Sequence, residues 1–133
     1  MPEFTFQLTE DPIDIGTPTW DSRFGAELSF VGVVRGIEKG EEIDGIDYAV
    51  YPEMAERKMA ELGREALRKF GEHRAWITHR IGFVGAAEPS VVLRIGAPHS
   101  PEAFTICRWY LDNLKKEVPI WKRIDPLGAC KTQ

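Results

Sequence analysis

Asp112–Ile124 reads DNLKKEVPIWKRI, and what happens inside this stretch sets the architecture on either side of it. It begins as the last turn of a helix. Pro119 has no backbone donor and pushes Val118 out of the α region, so the helix is expected to end near Glu117. Ile120–Ile124 then leaves as a short extended segment. The break puts Lys115 on the final helical turn and Lys122 on the segment beyond it, so two lysines can converge on one pocket from different elements. Ile120 and Trp121 would supply apolar wall beside them. An ammonium held near other cations and partly dehydrated gives up its proton more readily, which is how a lysine becomes a nucleophile or proton carrier. The competing reading is that basic residues at a helix C-terminus complement the macrodipole and stay in water.

Moving back along the chain, Ser100 reads as N-cap and Pro101 as the first position of this helix. Ala103, Cys107, Leu111 and Leu114 mark its inner stripe, and Phe104, Trp109 and Tyr110 widen it. Pro52–Phe70 is the other main helix. Ala55, Met59, Leu62, Ala66 and Phe70 recur at three and four, and Gly71 suits the residue after its end. Between the helices, Ala75–Val84 and Ser90–Ala97 flank a Gly85–Pro89 turn and read as a hairpin. Phe4–Leu8 reads as a first strand, Pro12–Ile15 as a short turn and Gly16–Arg23 as a loop. Gly25–Arg35 is a strand with Leu28, Phe30, Gly32 and Val34 on one face. Gly32 in mid-strand weakens it unless a backbone or ligand must come close. Gly36–Gly45 (GIEKGEEIDG) reads as a mobile charged loop, and Ile46–Tyr51 as a strand antiparallel to its predecessor. The order predicts an α+β fold with a mostly antiparallel sheet and two main helices on one face.

A length of 133 residues suits one domain, 1–133, with one core. Seventeen Lys and Arg against 21 Asp and Glu give a net charge of −4, which argues against nucleic-acid binding but leaves room for a small basic pocket. No apolar run is long enough to span a bilayer, and no signal-peptide pattern opens the chain, so a cytoplasmic protein is expected. Cys107 and Cys130 fit no metal or redox spacing. Cys107 reads as a small buried hydrophobe and Cys130 as exposed. No phosphate loop and no Ser or Cys nucleophile with a matching acid occurs, so no cofactor or metal is expected.

Arg35 ends a strand beside the charged loop, where it either faces a ligand or pairs with Glu38, Glu41 or Glu42. His99 stands just before a helix N-terminus, where free backbone donors favour an anion, although a lone histidine there can also simply cap or pack. A helix from Pro101 to Glu117 is about 25 Å long, so His99 and Lys115 should not meet within one chain. They could meet across a dimer interface. His79-Arg80 on its strand reads as structural, and His73 as surface.

The chain also carries an ordered set of short motifs: Phe30–Arg35 (F-x-G-x-V-R), Tyr51–Ala55 (Y-x-x-M-A), His79–Gly82 (H-R-I-G), Glu88–Val91 (E-P-S-V), Pro98–Phe104 (P-H-x-x-E-A-F) and Leu114–Arg123 (L-K-x-x-V-P-I-W-K-R). In order and spacing this set resembles the large, catalytic subunit of molybdopterin synthase, from about Gly25 to Arg123. The resemblance implies an α/β hammerhead fold and a homodimer. It also implies a heterotetramer with a small ubiquitin-like sulfur-carrier subunit, whose C-terminal Gly-Gly thiocarboxylate enters a pocket. The substrate it implies is cyclic pyranopterin monophosphate, and the reaction a sulfurtransferase step of molybdenum cofactor biosynthesis. Lys115 and Lys122 match the family's two active-site lysines. Arg35 and His99 match substrate-binding positions in a pocket drawn from both subunits. Lys116 and Arg123 are neighbours with phosphate or the carrier tail as expected ligands.

The chain departs from the family pattern at Ser100, where arginine is usual, at Ile124, where an acidic residue is usual, and in a shorter C-terminal tail. These departures keep an alternative in view, a non-catalytic paralogue that binds a carrier protein or pterin without turnover.

Overall fold

The computed structural model describes residues 4–16 and 19–126. The elements run β1 (Phe4–Thr9), β2 (Ala26–Val33), β3 (Ile37–Glu38), β4 (Glu41–Val50), α1 (Pro52–Phe70), β5 (Arg74–Arg80), β6 (Gly82–Gly85), β7 (Pro89–Ala97), α2 (Ser100–Glu117) and β8 (Ile120–Pro126). Both helices fall within a residue of the sequence reading. Val118 is extended (φ −90°, ψ 129°), as the following proline demands.

Two sheets organise the strands. The larger has the order β1-β5-β7-β2, antiparallel throughout except for the parallel β1–β5 pair. Its inward face carries Phe4, Phe6 and Leu8, then Ala75 and Ile77, then Val91, Leu93, Ile95 and Ala97, then Leu28 and Phe30. Against this face lie Ala55, Met59, Leu62 and Ala66 of α1 and Ala103, Ile106, Cys107, Tyr110 and Leu114 of α2. The strand period of two and the helix period near 3.6 thus meet in one core. The smaller sheet is β3-β4-β6, with β8 on β4, and it has its own apolar cluster of Val34, Ile43, Ile46 and Val84, joined by Tyr48 and Ile124.

Several expectations are corrected. Gly36–Gly45 is not a loop but most of a hairpin. Lys39 (φ 52°) and Gly40 (φ 81°) make a two-residue turn, and Ile37 and Glu38 pair with Glu42 and Glu41. The many charges mark a solvated outer sheet rather than absence of structure. Ile46–Tyr51 does not pair with β2; its strand, β4, joins β3, β6 and β8. Ala75–Val84 is two strands in two sheets. The chain changes sheet at Gly82, whose φ of 80° a side chain would oppose. Pro12–Ile15 forms no helical turn. The N-cap of α2 is His99 rather than Ser100, and it makes no side-chain capping bond.

Burial overturns the readings of His73 and Phe104, and gives Arg80 the structural role expected of it. His73 is not surface. It is 4% exposed, its Nδ1–H donates to the Gly71 carbonyl (2.8 Å), and its Nε2 accepts from the Tyr110 hydroxyl (2.7 Å). Arg80 is also buried, held by Glu88 at 2.9 Å and by the Glu10 carbonyl. Phe104 is exposed, so it does not widen the inner stripe of α2. Cys107 is buried as expected, and Cys130 lies outside the described residues.

Candidate functional site

The seam between the two sheets and the end of α2 encloses a cavity of about 510 Å³. Its floor is a row across the larger sheet. Gly32 on β2 is opposite Val91 on β7, and Val91 is opposite His79 on β5, so all three share the inward face. Gly32 is there for space. A Cβ would sit 2.7 Å from Val91 Cγ1, well inside ordinary contact.

One wall is the last turns of α2, where Leu111, Leu114 and Lys115 stand at i, i+3 and i+4 on one helix face. The opposite wall is the smaller sheet, with Ile46, Tyr48, Ile120 and Lys122. Tyr48 and Lys122 are cross-strand partners, so their side chains project on the same side. Arg35, just past β2, is exposed; it closes the rim and lies 3.5 Å from the partly buried Glu38.

The structure therefore brings Arg35, Lys115 and Lys122 to one cavity. Pro119 makes this possible by ending α2 at Glu117 and turning the chain into β8. Lys116 and Arg123 do not line it. Lys116 is one helical step round from Lys115, and Arg123 alternates to the outer side of β8, 3.3 Å from Asp47. Alternation also sends Trp121 outward, where it is half exposed and meets Tyr51 edge-on, so only Ile120 of the expected apolar pair forms wall. His99 is exposed at the other end of α2, about 24 Å from Lys115 at 1.5 Å per residue. Within one chain it stays apart from the lysines, as the helix length required.

Of the three sequence departures, Ser100 and Ile124 do not line the cavity of their own chain, and the C-terminal tail lies outside the described residues. Ile124 is partly buried on the small apolar cluster, where an acid would lose its hydration. Ser100 begins α2 beside His99.

The residue that sequence reasoning missed is His79. It is 8% exposed, and it lines the cavity. Burial pushes its pKa below the ordinary imidazole value, outweighing the bond to the Arg80 carbonyl that favours the charged form. The signal was available in part, since His79 shares parity with Ala75 and Ile77 and so faces inward. That a cavity lies over it depends on β8, some forty residues away.

Together these groups form a pocket with an apolar and imidazole floor and three cations around it, suited to an anionic ligand with a flat or narrow body. Among the described residues no cluster of His, Cys, Asp and Glu could hold a metal ion, and no helix is long and apolar enough to cross a membrane.

Comparison with known proteins gives one answer. The family described as MoaE protein matches residues 8–117. A molybdopterin synthase catalytic subunit of Thermoplasma volcanium is 39% identical over 120 residues, covering 88% of each chain. One of Bacillus subtilis is 32% identical over 121 residues, covering 89% of this chain and 77% of its own. Among solved structures, molybdopterin synthase from Staphylococcus aureus superposes with a TM-score of 0.85 at 29% identity, covering 96% of this chain and 94% of its own.

Proposed function

The chain belongs to the MoaE family, and from that premise we propose that it is the catalytic subunit of a molybdopterin synthase. It takes sulfur from the C-terminal Gly-Gly thiocarboxylate of a small ubiquitin-like carrier and places it on cyclic pyranopterin monophosphate, making the dithiolene of molybdopterin. Each transfer forms a carbon–sulfur bond on the substrate, breaks that of the carrier thiocarboxylate and leaves the carrier as a carboxylate, with water supplying the oxygen. Over the two transfers the substrate loses one oxygen as water and one carbon–oxygen bond to its cyclic phosphate, which opens. Residues 1–133 act in this as one domain, in the cytoplasm.

The observation that supports the reading is the convergence of Lys115, Lys122 and Arg35 on one cavity from three separate elements. The phosphate and the thiocarboxylate are both anions, and a cation-rimmed cavity attracts each of them into an otherwise acidic protein. Lys122 serves proton transfer at the reacting centre, and Lys115 holds the carrier carboxyl or a covalent intermediate. The Gly-Gly tail lies along the floor at Gly32, where neither partner has a side chain. Lys116 and Arg123, outside the cavity, meet the carrier's surface. His99 serves the cavity of a second copy, which requires a homodimer and, with two carriers, a heterotetramer.

The test is turnover. Purified protein, thiocarboxylated carrier and cyclic pyranopterin monophosphate should give a dithiolene pterin by mass spectrometry. Lys122→Ala should abolish it with the melting temperature little changed, since an exposed lysine contributes little to stability. Full activity in Lys122→Ala would refute the assignment.

A further inference from the structure

We propose that His79 is a further binding residue of this site: its Nε2 accepts a hydrogen bond from an N–H donor of the ligand that fills the cavity. The proposal rests on the cavity being the sulfur-transfer site.

The tautomer follows from the geometry. His79 Nδ1 lies 2.6 Å from the Arg80 carbonyl oxygen. A carbonyl only accepts, so Nδ1 carries the proton and donates. In the neutral ring Nε2 then holds a lone pair. No protein group among the described residues bonds to it. It is also not sealed inside the protein, unlike Thr78 Oγ1, Arg80 Nε and Arg94 Nε, which are buried without partners. Nε2 is thus open to the cavity that His79 lines.

The ring is fixed as well as open. The Tyr48 ring meets it edge-to-face at 5.0 Å between centroids, and the Arg80 carbonyl holds its near side. Such an acceptor costs nothing to orient when a ligand arrives.

The neighbouring side chains show why an acceptor is needed. Arg35, Lys115 and Lys122 offer only donors. Glu38 accepts, but it lies beside Arg35 at the rim. Ser90 donates its hydroxyl to the Gly32 carbonyl. Its oxygen and the Tyr48 hydroxyl can also accept, but a hydroxyl serves either role, whereas His79 Nε2 only accepts. A ligand with negative charge at one end and N–H groups elsewhere finds cations for the first and, on the floor, His79 Nε2 for the second. Two sources have that chemistry. One is the N–H edge of the pterin, and the other is a backbone N–H of the carrier tail.

Kinetics on the intact protein separates them. KM is measured for the pterin and for the thiocarboxylated carrier in wild type, His79→Leu and His79→Gln. Leucine fills the space without an acceptor, whereas glutamine can place its amide oxygen near the Nε2 position. His79→Leu should raise one KM tenfold or more with kcat changed less than threefold, and His79→Gln should return it to within threefold of wild type. The KM that rises names the donor. Both KM values within twofold of wild type in His79→Leu would overturn the proposal. So would equal impairment in the two variants, which is the signature of packing alone.

If His79→Leu does not fold, wild-type protein carrying ¹⁵N-histidine decides. Titrated with the pterin alone and with the carrier alone, the Nε2 resonance of His79 should move in one titration while Nδ1 stays. No movement at saturation with either ligand refutes the bond. Lys122→Ala runs beside each assay. Its inactivity keeps the parent reading standing when the His79 proposal fails, and its full activity removes both.

Discussion

Gly32→Ala puts a methyl group into the floor of the cavity, and its cost can be worked from the structure. The new Cβ would lie 2.7 Å from Val91 Cγ1 and 3.5 Å from Phe30 Cε2. Val91 is 8% exposed and β-branched, so it has one favoured rotamer and little room to turn. Overpacking of this kind costs about 1–3 kcal/mol. Against it, alanine gains about 0.5–1 kcal/mol over glycine in a strand, because less chain entropy is lost on folding. The clash wins, with a net loss of about 1.5 kcal/mol. At about 2.1 cal/mol/K per residue, a chain of 133 residues then melts about 5 °C lower.

The decisive assay is a double-mutant cycle by urea unfolding. Val91→Ala alone removes the offending Cγ1 and loses about 1.5–3 kcal/mol of burial and packing. In the double variant the two methyl groups no longer collide, so the sum of the single losses should exceed the double loss by about 1 kcal/mol or more. Additivity within about 0.5 kcal/mol, or a more stable Gly32→Ala, would refute the account of why this strand carries glycine.

Two other perturbations read other parts of the molecule. Tyr110→Phe leaves His73 Nε2 buried without its donor and should destabilise by about 1–3 kcal/mol; a loss below about 0.5 kcal/mol in the same unfolding assay would mean that the bond contributes little. His79 has a folded-state pKa lowered by burial, so below pH 6.5 the unfolded chain takes up a proton that the folded one resists. The stability difference between wild type and His79→Gln should hold steady above that pH and shift against wild type as pH falls toward 5. Parallel pH profiles for the two proteins would show that the buried imidazole carries no such linkage.

The sequence by itself determined the pieces whose causes are local. Pro119 ended α2 at Glu117, spacing at three and four bounded α1 between Pro52 and Phe70, and alternation turned Leu28, Phe30 and Gly32 to one face. These follow from a few neighbouring torsions and contacts. From them Lys115 and Lys122 were already legible as lysines from different elements, and His99 as remote from both. The ordered motifs made the family legible too, because their spacing is written in the chain.

What tertiary structure alone decided was partnership and depth. The charged segment around Lys39 became a hairpin because Ile43 and Ile46 had a second apolar cluster to join, and β4 chose β8 over β2. His73 and His79 went inside because Tyr110 and Tyr48, distant in sequence, covered them. Lys122 entered the cavity while Arg123 left it because pairing with β4 fixed the register of β8. A pairing register is set by the summed burial of both strands, and a one-residue slip would exchange every side chain between faces. No window of the chain shorter than the fold contains that sum.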